Sequence, residues 1–411
     1  MTHRGPTRPD PTSNNWLATL ISVHSVQALS IGRHHIATVA TMWLATLMPA
    51  YAAIPALALS LSGASPRSAA TAKLRSLLAE HPTPTASQEP AIVVPGVHDA
   101  LSAKIFASHG STQALFLSGF GVSACSLGEP DAGILTLTEM EEVARKVIAT
   151  VNKEVTSKAK TSGSDLLDVA IPIIVDGDTG YGGASNIRRT VRGLAAAGAA
   201  AITIEDQCFP KRCTIAAGAG VRVVSREQSM ERIKCALAAR DEAREIDGND
   251  VLIVARTDCR AALGLNEAIA RCKAFETLGA DIVYAENLQS RSEYEHLRAE
   301  LREETPMMLA QLQQGPVGSD CDNSASLFTA QDIGDMGYCL ALMGVSGLQA
   351  YVQAMQKTVE SMMRPVVVGG VGGGGVLDEV DSTFLCSFPM LKDTVGFDDV
   401  DEFESKYNVE C

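Results

Sequence analysis

Eight short apolar runs, alternating with helical stretches and closing on polar or charged residues, predict a (β/α)₈ TIM barrel in this 411-residue chain. A second observation supports that class: glycines at 110, 198, 279 and 337 stand where helices should end and the next apolar run begins. A third is chemical, since Asp176-Gly177-Asp178-Thr179-Gly180-Tyr181-Gly182 follows the apolar run Ile171 to Val175, so two carboxylates sit at the exit of a buried strand. The competing architecture, an open doubly wound sheet, would place a phosphate-binding glycine turn after its first strand. Pro95-Gly96-Val97-His98-Asp99 does not match one.

The first segment differs from the rest of the chain. Up to residue 70 it carries four arginines, one aspartate and no lysine or glutamate among many Ser, Thr and Ala, the bias of an organellar presequence for a mitochondrion or plastid. The uncharged run Ile36 to Ser62 is long enough to cross a bilayer. Pro49 and Pro55 weaken that reading, and an apolar signal core ahead of a plastid-targeting segment is a third one. A mature form without a membrane span is expected, and a cytoplasmic location if the segment is not a targeting signal. The catalytic unit is expected over 71–365, opening with a helix from Thr71 to Glu80 beneath the barrel, then a linker marked by Pro82, Pro84 and Pro90.

The strands follow in order: Ile92 to Val94, Ala114 to Leu117 before Ser118, Ile171 to Val175 before Asp176, Ala199 to Ile204 before Glu205 and Asp206. Then come Val251 to Ala255 before Arg256, Ile282 to Ala285 before Glu286, Met307 to Ala310 before Gln311, and Tyr338 to Met343. Helices are expected over Asn186 to Ala197, Arg226 to Ala243, Asn266 to Leu278 and Ser292 to Leu301. Eight such units over about 260 residues is the length that the barrel requires. The glycine-rich stretch 366–376 lacks the Gly-Lys-Ser/Thr ending of a phosphate loop and reads as a flexible linker. Beyond it, 377–411 reads as a tail of short helices, Phe388 to Lys392 and Phe397 to Tyr407, docking on a neighbour or on the parent barrel.

A formal net charge of -14 argues against a nucleic-acid partner, which would want a basic face. Ten cysteines without a Cys-x-x-Cys pair indicate neither a zinc module nor a disulfide framework. Cys208, Cys235, Cys272 and Cys339 read as reduced, buried and inert. The carboxylates of Asp176 and Asp178 suit Mg²⁺ or Mn²⁺. A calcium loop is excluded because its twelfth position falls on Ile187, and a solvated acidic turn is the alternative on this motif alone.

Five ordered segments then converge: Ser118-Gly119-Phe120-Gly121-Val122-Ser123, Asp176 to Gly182, Glu205-Asp206-Gln207, Pro210-Lys211-Arg212-Cys213 and Val254-Ala255-Arg256-Thr257-Asp258. In order and spacing they resemble the isocitrate lyase and phosphoenolpyruvate mutase superfamily, from about Ile92 to Tyr407. The resemblance implies an Mg²⁺-dependent barrel enzyme acting on small carboxylates, a homotetramer with C-terminal helices swapped between subunits. It implies metal binding by Asp176, Asp178 and Glu205, some of it through water, with Asp131 beside the metal. Ser118, Gly119, Phe120, Asp131, Arg256 and Gln311 match substrate-binding positions, and Lys211, Cys213 and Arg256 match catalytic ones. In the lyase branch the cysteine protonates the carbanion product. Lys211-Arg212-Cys213 therefore favours a lyase over a phosphonate mutase, with two neighbouring cations favouring the thiolate.

Departures from the family pattern bear on the substrate. Thr214 and Ile215 follow Cys213 where the family has Gly-His, Phe116 replaces a tyrosine, and the Asn-x-x-Glu-Gly element stands as Gln311-Leu312-Gln313-Gln314-Gly315. The expectation is a carbon-carbon lyase for a small 2-hydroxy or 2-oxo acid such as 2-methylisocitrate, dimethylmalate or oxaloacetate, with the petal death type among the similar small-acid members. The alternatives are a phosphoenolpyruvate mutase or phosphonopyruvate hydrolase type enzyme, and an inactive barrel with an assembly or regulatory role.

Overall fold

The computed structural model describes residues 65–80, 89–217, 220–312, 327–363, 366–368, 371–373 and 385–407. The chain divides into Met1–Ser62 and Gly63–Cys411, and every described residue belongs to the second unit. The expected presequence therefore lies almost wholly outside the described residues, as do Gln313 to Gly315.

Eight parallel strands close into a barrel in sequence order, as the apolar runs predicted. They are β1 (Ile92–Val97), β2 (Leu115–Leu117), β3 (Ile173–Asp176), β4 (Ala201–Ile204), β5 (Leu252–Thr257), β6 (Ile282–Ala285), β7 (Met307–Ala310) and β8 (Leu340–Met343). Closure is made by β1 on β8, with Ile92 opposite Leu340 and Val94 opposite Leu342.

Residue parity within each strand sorts its side chains into two cores. Ile92, Val94, Phe116, Ile174, Ala201, Leu252, Val254, Ile282, Tyr284, Met308 and Leu340 form one buried cluster. Helix α1 (Pro66–Glu80) joins it through Leu74, Leu77 and Leu78, which confirms a helix packed on the strands. The helix starts earlier than the expected boundary: Ala69 and Ala70 are already buried. The alternate residues, among them Leu115, Val175, Ile202, Ile253, Val283 and Leu309, pack in the other cluster with the surrounding helices.

Those helices are α2 (Ala100–Ser108), α3 (Gly119–Leu127), α4 (Leu137–Ser162), α5 (Leu166–Val169), α6 (Ala184–Ala197), α7 (Thr214–Ala217), α8 (Arg226–Glu245), α9 (Arg260–Leu263), α10 (Leu265–Leu278), α11 (Arg291–Ala299), α12 (Ala330–Asp335) and α13 (Ser346–Met362). Gly198 and Gly279 cap α6 and α10 in the left-handed region, as expected. Gly110 does not: α2 stops at Ser108, and His109 caps it in extended conformation. The described residues of the expected linker, 366–368 and 371–373, depart from a loose coil, because β9 (Val366–Val368) pairs antiparallel with β10 (Val371–Gly373). β-Branched side chains favour extended backbone over a flexible coil. The tail contains α14 (Phe388–Val395) and α15 (Phe397–Glu404), at the two stretches expected. Among the described residues, no helix is long and apolar enough to cross a membrane.

Candidate active site

Strand parity carries the inner core up to a polar mouth. Ser118 follows Phe116 by two, Asp176 follows Ile174, Arg256 follows Val254, and Glu286 follows Tyr284, so each continues an inward-facing row past the strand end. Ser118, Asp176, Asp178, Glu205, Asp258 and Glu286 are all buried.

The turn after β3 is built for this position. Asp178 and Tyr181 adopt φ of 48° and 58°, a region that side chains other than Gly, Asn and Asp rarely enter. Asp176 Oδ1 accepts the Asp178 N–H at 3.1 Å, while its Oδ2 accepts the Gly119 N–H at 3.3 Å. Ser118 caps α3, its hydroxyl accepting the Gly121 N–H at 3.2 Å. Gly119 is where a side chain would intrude, since a Cβ there would lie 2.9 Å from Asp176 Oδ2 and 3.3 Å from Asp178 Oδ1. Phe120 is half-buried on the first turn of α3.

Two cations are set among the carboxylates. Lys211 Nζ lies 2.5 Å from Asp131 Oδ1 and 2.7 Å from Asp178 Oδ1. Burial opposes the Lys211 charge, but Asp178 and Asp131 outweigh it and hold the ammonium well above its ordinary range. Arg256 pairs through Nε with Asp258 at 2.8 Å, and its NH2 lies 3.4 Å from Glu205 and 3.6 Å from Glu286. Its guanidinium also lies 5.4 Å from the centre of the Tyr284 ring.

The acids are correspondingly perturbed. Burial, then Asp178, pushes the Asp176 carboxyl up to about 6. Burial pushes Glu286 up to about 7 against the opposing effect of Arg256. Glu205 is raised well above the ordinary carboxylate range, by burial first and then by Asp258.

The residues present fit a hydrated divalent cation. Glu205 is 1% exposed, and neither of its carboxylate oxygens has a hydrogen-bond partner. Asp178 Oδ1 meets Lys211 as an ion pair without hydrogen-bond alignment. Leaving such oxygens unpaired costs about 1–3 kcal/mol or more each, a cost that a bound cation would offset. Among the described residues, no three His, Cys, Asp or Glu side chains form a ready-made metal cluster. Carboxylates set around a common space suit Mg²⁺, which retains several waters.

Cys213 is partly buried, and its N–H bonds Asp131 O at 3.1 Å. The neighbouring cations turn elsewhere: Lys211 into the acid cluster, and the Arg212 guanidinium onto the carbonyls of Ala132 and Lys211 at 3.0 and 2.8 Å. Gln311 spends its amide on the Phe328 backbone, donating to O at 2.9 Å and accepting N–H at 2.8 Å. Cys272 and Cys339 are buried as expected, whereas Cys208 and Cys235 are partly exposed.

Sequence reasoning gave no role to three participants. Glu286 accepts a hydrogen bond from the Tyr284 hydroxyl, and Gln207 and Asp258 link the Cys213 segment to Arg256. Strand parity could have found Glu286, two residues beyond the inward Tyr284.

A model of the phosphoenolpyruvate phosphomutase family matches residues 85–363, which span every strand of the barrel. The chain belongs to the phosphoenolpyruvate mutase/isocitrate lyase superfamily. It is 29% identical over 336 residues to 2,3-dimethylmalate lyase of Eubacterium barkeri, covering 82% of this chain and 97% of that one. The fold matches a solved structure of oxaloacetate acetylhydrolase with the inhibitor 3,3-difluorooxalacetate at TM-score 0.64 and 29% identity, over 84% of this chain and 98% of that one. Phosphonopyruvate hydrolase with oxalate and Mg²⁺ matches at TM-score 0.61 and 26% identity, over 84% and 99%. The superfamily comprises Mg²⁺-dependent lyases and mutases, and relatives of this chain are lyases of small acids.

Proposed function

We propose that this superfamily member is an Mg²⁺-dependent carbon-carbon lyase of a small 2-hydroxy or 2-oxo dicarboxylic or tricarboxylic acid. The observation that carries the reading is the buried Glu205 carboxylate, whose oxygens have no hydrogen-bond partner, lying 3.4 Å from Arg256 in the same acid cluster as Asp176 and Asp178. The likeness to dimethylmalate lyase and oxaloacetate acetylhydrolase supports a substrate of that size.

Asp176, Asp178 and Glu205 would hold the cation, with Mn²⁺ as a substitute for Mg²⁺. When bound, it would polarise substrate oxygens and stabilise the enolate-like charge that develops when a bond next to a carboxylate breaks. Arg256 supplies a planar, permanently charged donor for a substrate carboxylate, and Ser118 and Gly119 border the same space. Cys213 Sγ–H donates the proton to the carbon left by cleavage. Lys211 balances the charge of Asp131 and Asp178.

The test is a product screen with Mg²⁺ over 2-methylisocitrate, isocitrate, 2,3-dimethylmalate, oxaloacetate and phosphonopyruvate, with an EDTA arm. An EDTA-sensitive cleavage product from one of the first four is expected. Turnover of phosphonopyruvate alone would favour the mutase or hydrolase reading, and inactivity on all five would favour a non-catalytic barrel. Lys211-Arg212-Cys213 favours the lyase among these.

A further inference from the structure

Gln207 leaves the end of β4 from a fixed point. Its backbone bridges Val223 antiparallel, closing the base of the excursion that carries Lys211 to Cys213, and its carbonyl accepts Arg232 NH1 at 2.8 Å. From there the side chain, in a residue 1% exposed, makes three hydrogen bonds. Nε2 donates to Asp258 Oδ2 at 2.7 Å and to Arg212 O at 2.9 Å, while Oε1 accepts the Arg212 N–H at 2.8 Å. The amide can point one way: reversed, its oxygen would face a carboxylate and its NH₂ an N–H. The other oxygen of Asp258 accepts Arg256 Nε at 2.8 Å.

We propose that Gln207 is a positioning residue that couples the seating of the Lys211–Cys213 segment to the orientation of Arg256. The coupling runs from the Arg212 peptide through one amide and one carboxylate to the guanidinium. Arg212 lies between Lys211, which reaches Asp131 and Asp178, and Cys213, whose N–H reaches Asp131 O. If the segment lifts, Gln207 loses both bonds to Arg212 while remaining buried, and nothing then fixes the amide against Asp258. Conversely, a seated segment holds Asp258 from one side and so holds Arg256 on the other. A buried amide with every polar group satisfied gives a two-sided geometry that a solvated contact would not.

The catalytic meaning of this coupling rests on the lyase reading, but its test does not require a substrate. In the full chain, iodoacetamide labelling of Cys213 is followed by peptide mass spectrometry, with the exposed Cys125 as internal reference. Gln207→Met keeps the length and removes the three bonds. The expected result is a roughly tenfold or greater rise in the Cys213 to Cys125 labelling ratio, a change that loss of packing elsewhere would not confine to Cys213. Asp258→Asn should raise the ratio less, and adding it to Gln207→Met should raise it no further. An unchanged ratio in Gln207→Met, or fully additive effects of the two substitutions, would overturn the proposal. Should Gln207→Met fail to fold, Gln207→Asn, whose shorter amide cannot span both partners, is read by the same criteria. With a substrate in hand, Gln207→Met should lower kcat about 100-fold. A wild-type chain without lyase activity would refute the proposed function and leave labelling to decide the coupling.

Discussion

Asp178→Ala is expected to abolish Mg²⁺-dependent turnover and also to lower the melting temperature, because alanine is strained at the φ of 48° found there and Lys211 loses a buried partner. Activity that survives the substitution would remove Asp178 from the site. A proton effect belongs to the same cluster. Asp176 is raised to about 6 and Glu286 to about 7, so the metal-free native state holds protons that an unfolded chain releases near pH 4. Between about pH 4 and 7 these two groups therefore bind more protons in the folded form than in the unfolded one, and their contribution to stability without metal falls as pH rises through that window. Thermal melts in EDTA should show this decline, and Mg²⁺ should reduce it at pH 7 while having less effect at pH 5. A metal-free melting temperature that rises from pH 5 to 7 would contradict the assignment. Asp176, Asp178, Glu205 and Arg256 were legible in the sequence because each stands at or just past a strand exit. Gln207–Asp258 was not, because that bond joins residues 51 apart whose meeting depends on β4 and β5 being neighbours.

At the scale of elements, Gly119→Ala and Gly177→Ala should separate site from scaffold. A Cβ on Gly177 would stand 2.6 Å from Thr203 O, a backbone atom that the neighbouring strand fixes. Gly177→Ala should thus cost about 1–3 kcal/mol of stability, read as a lower melting temperature. A Cβ on Gly119 would meet the Asp176 carboxylate, so Gly119→Ala should weaken Mg²⁺ binding with little change in melting. Equal effects of the two on melting and on metal affinity, measured by calorimetry, would contradict this division. The strands were readable because all but β1, whose Val93 is exposed, are buried on both faces, giving runs of apolar residues with a polar stop. Less readable was where α2 ends, since an extended His109 and not Gly110 closes it. The valine pairing at 366–373 was also missed, because the surrounding glycines dominate the composition.

Over the whole molecule, apolar side chains remain exposed on α13 and the tail. Tyr351, Met355 and Val359 are about half exposed, and Phe388 and Phe403 are 70% and 63% exposed. Asp399 of the tail pairs with Lys153 at 3.0 Å, an exposed contact of little strength. We propose that these faces are covered in a homo-oligomer, so deletion from Gly369 onward should lower the particle mass seen by light scattering. An unchanged mass would exclude the tail as the main adhesive. The proposed organellar presequence has its own check, since N-terminal sequencing of native protein should begin near residue 65, before Ala69 and Ala70 enter the core. The chemistry is tested most directly by mass spectrometry of products formed in deuterium oxide from the same panel of acids with Mg²⁺. The expected product is a shortened acid with one deuterium on the carbon next to its carboxylate, absent in EDTA and in Asp178→Ala, and strongly reduced in Cys213→Ser. A rearranged or hydrolysed phosphonate as the sole product, or cleavage that EDTA leaves untouched, would contradict a metal-dependent carbon-carbon lyase.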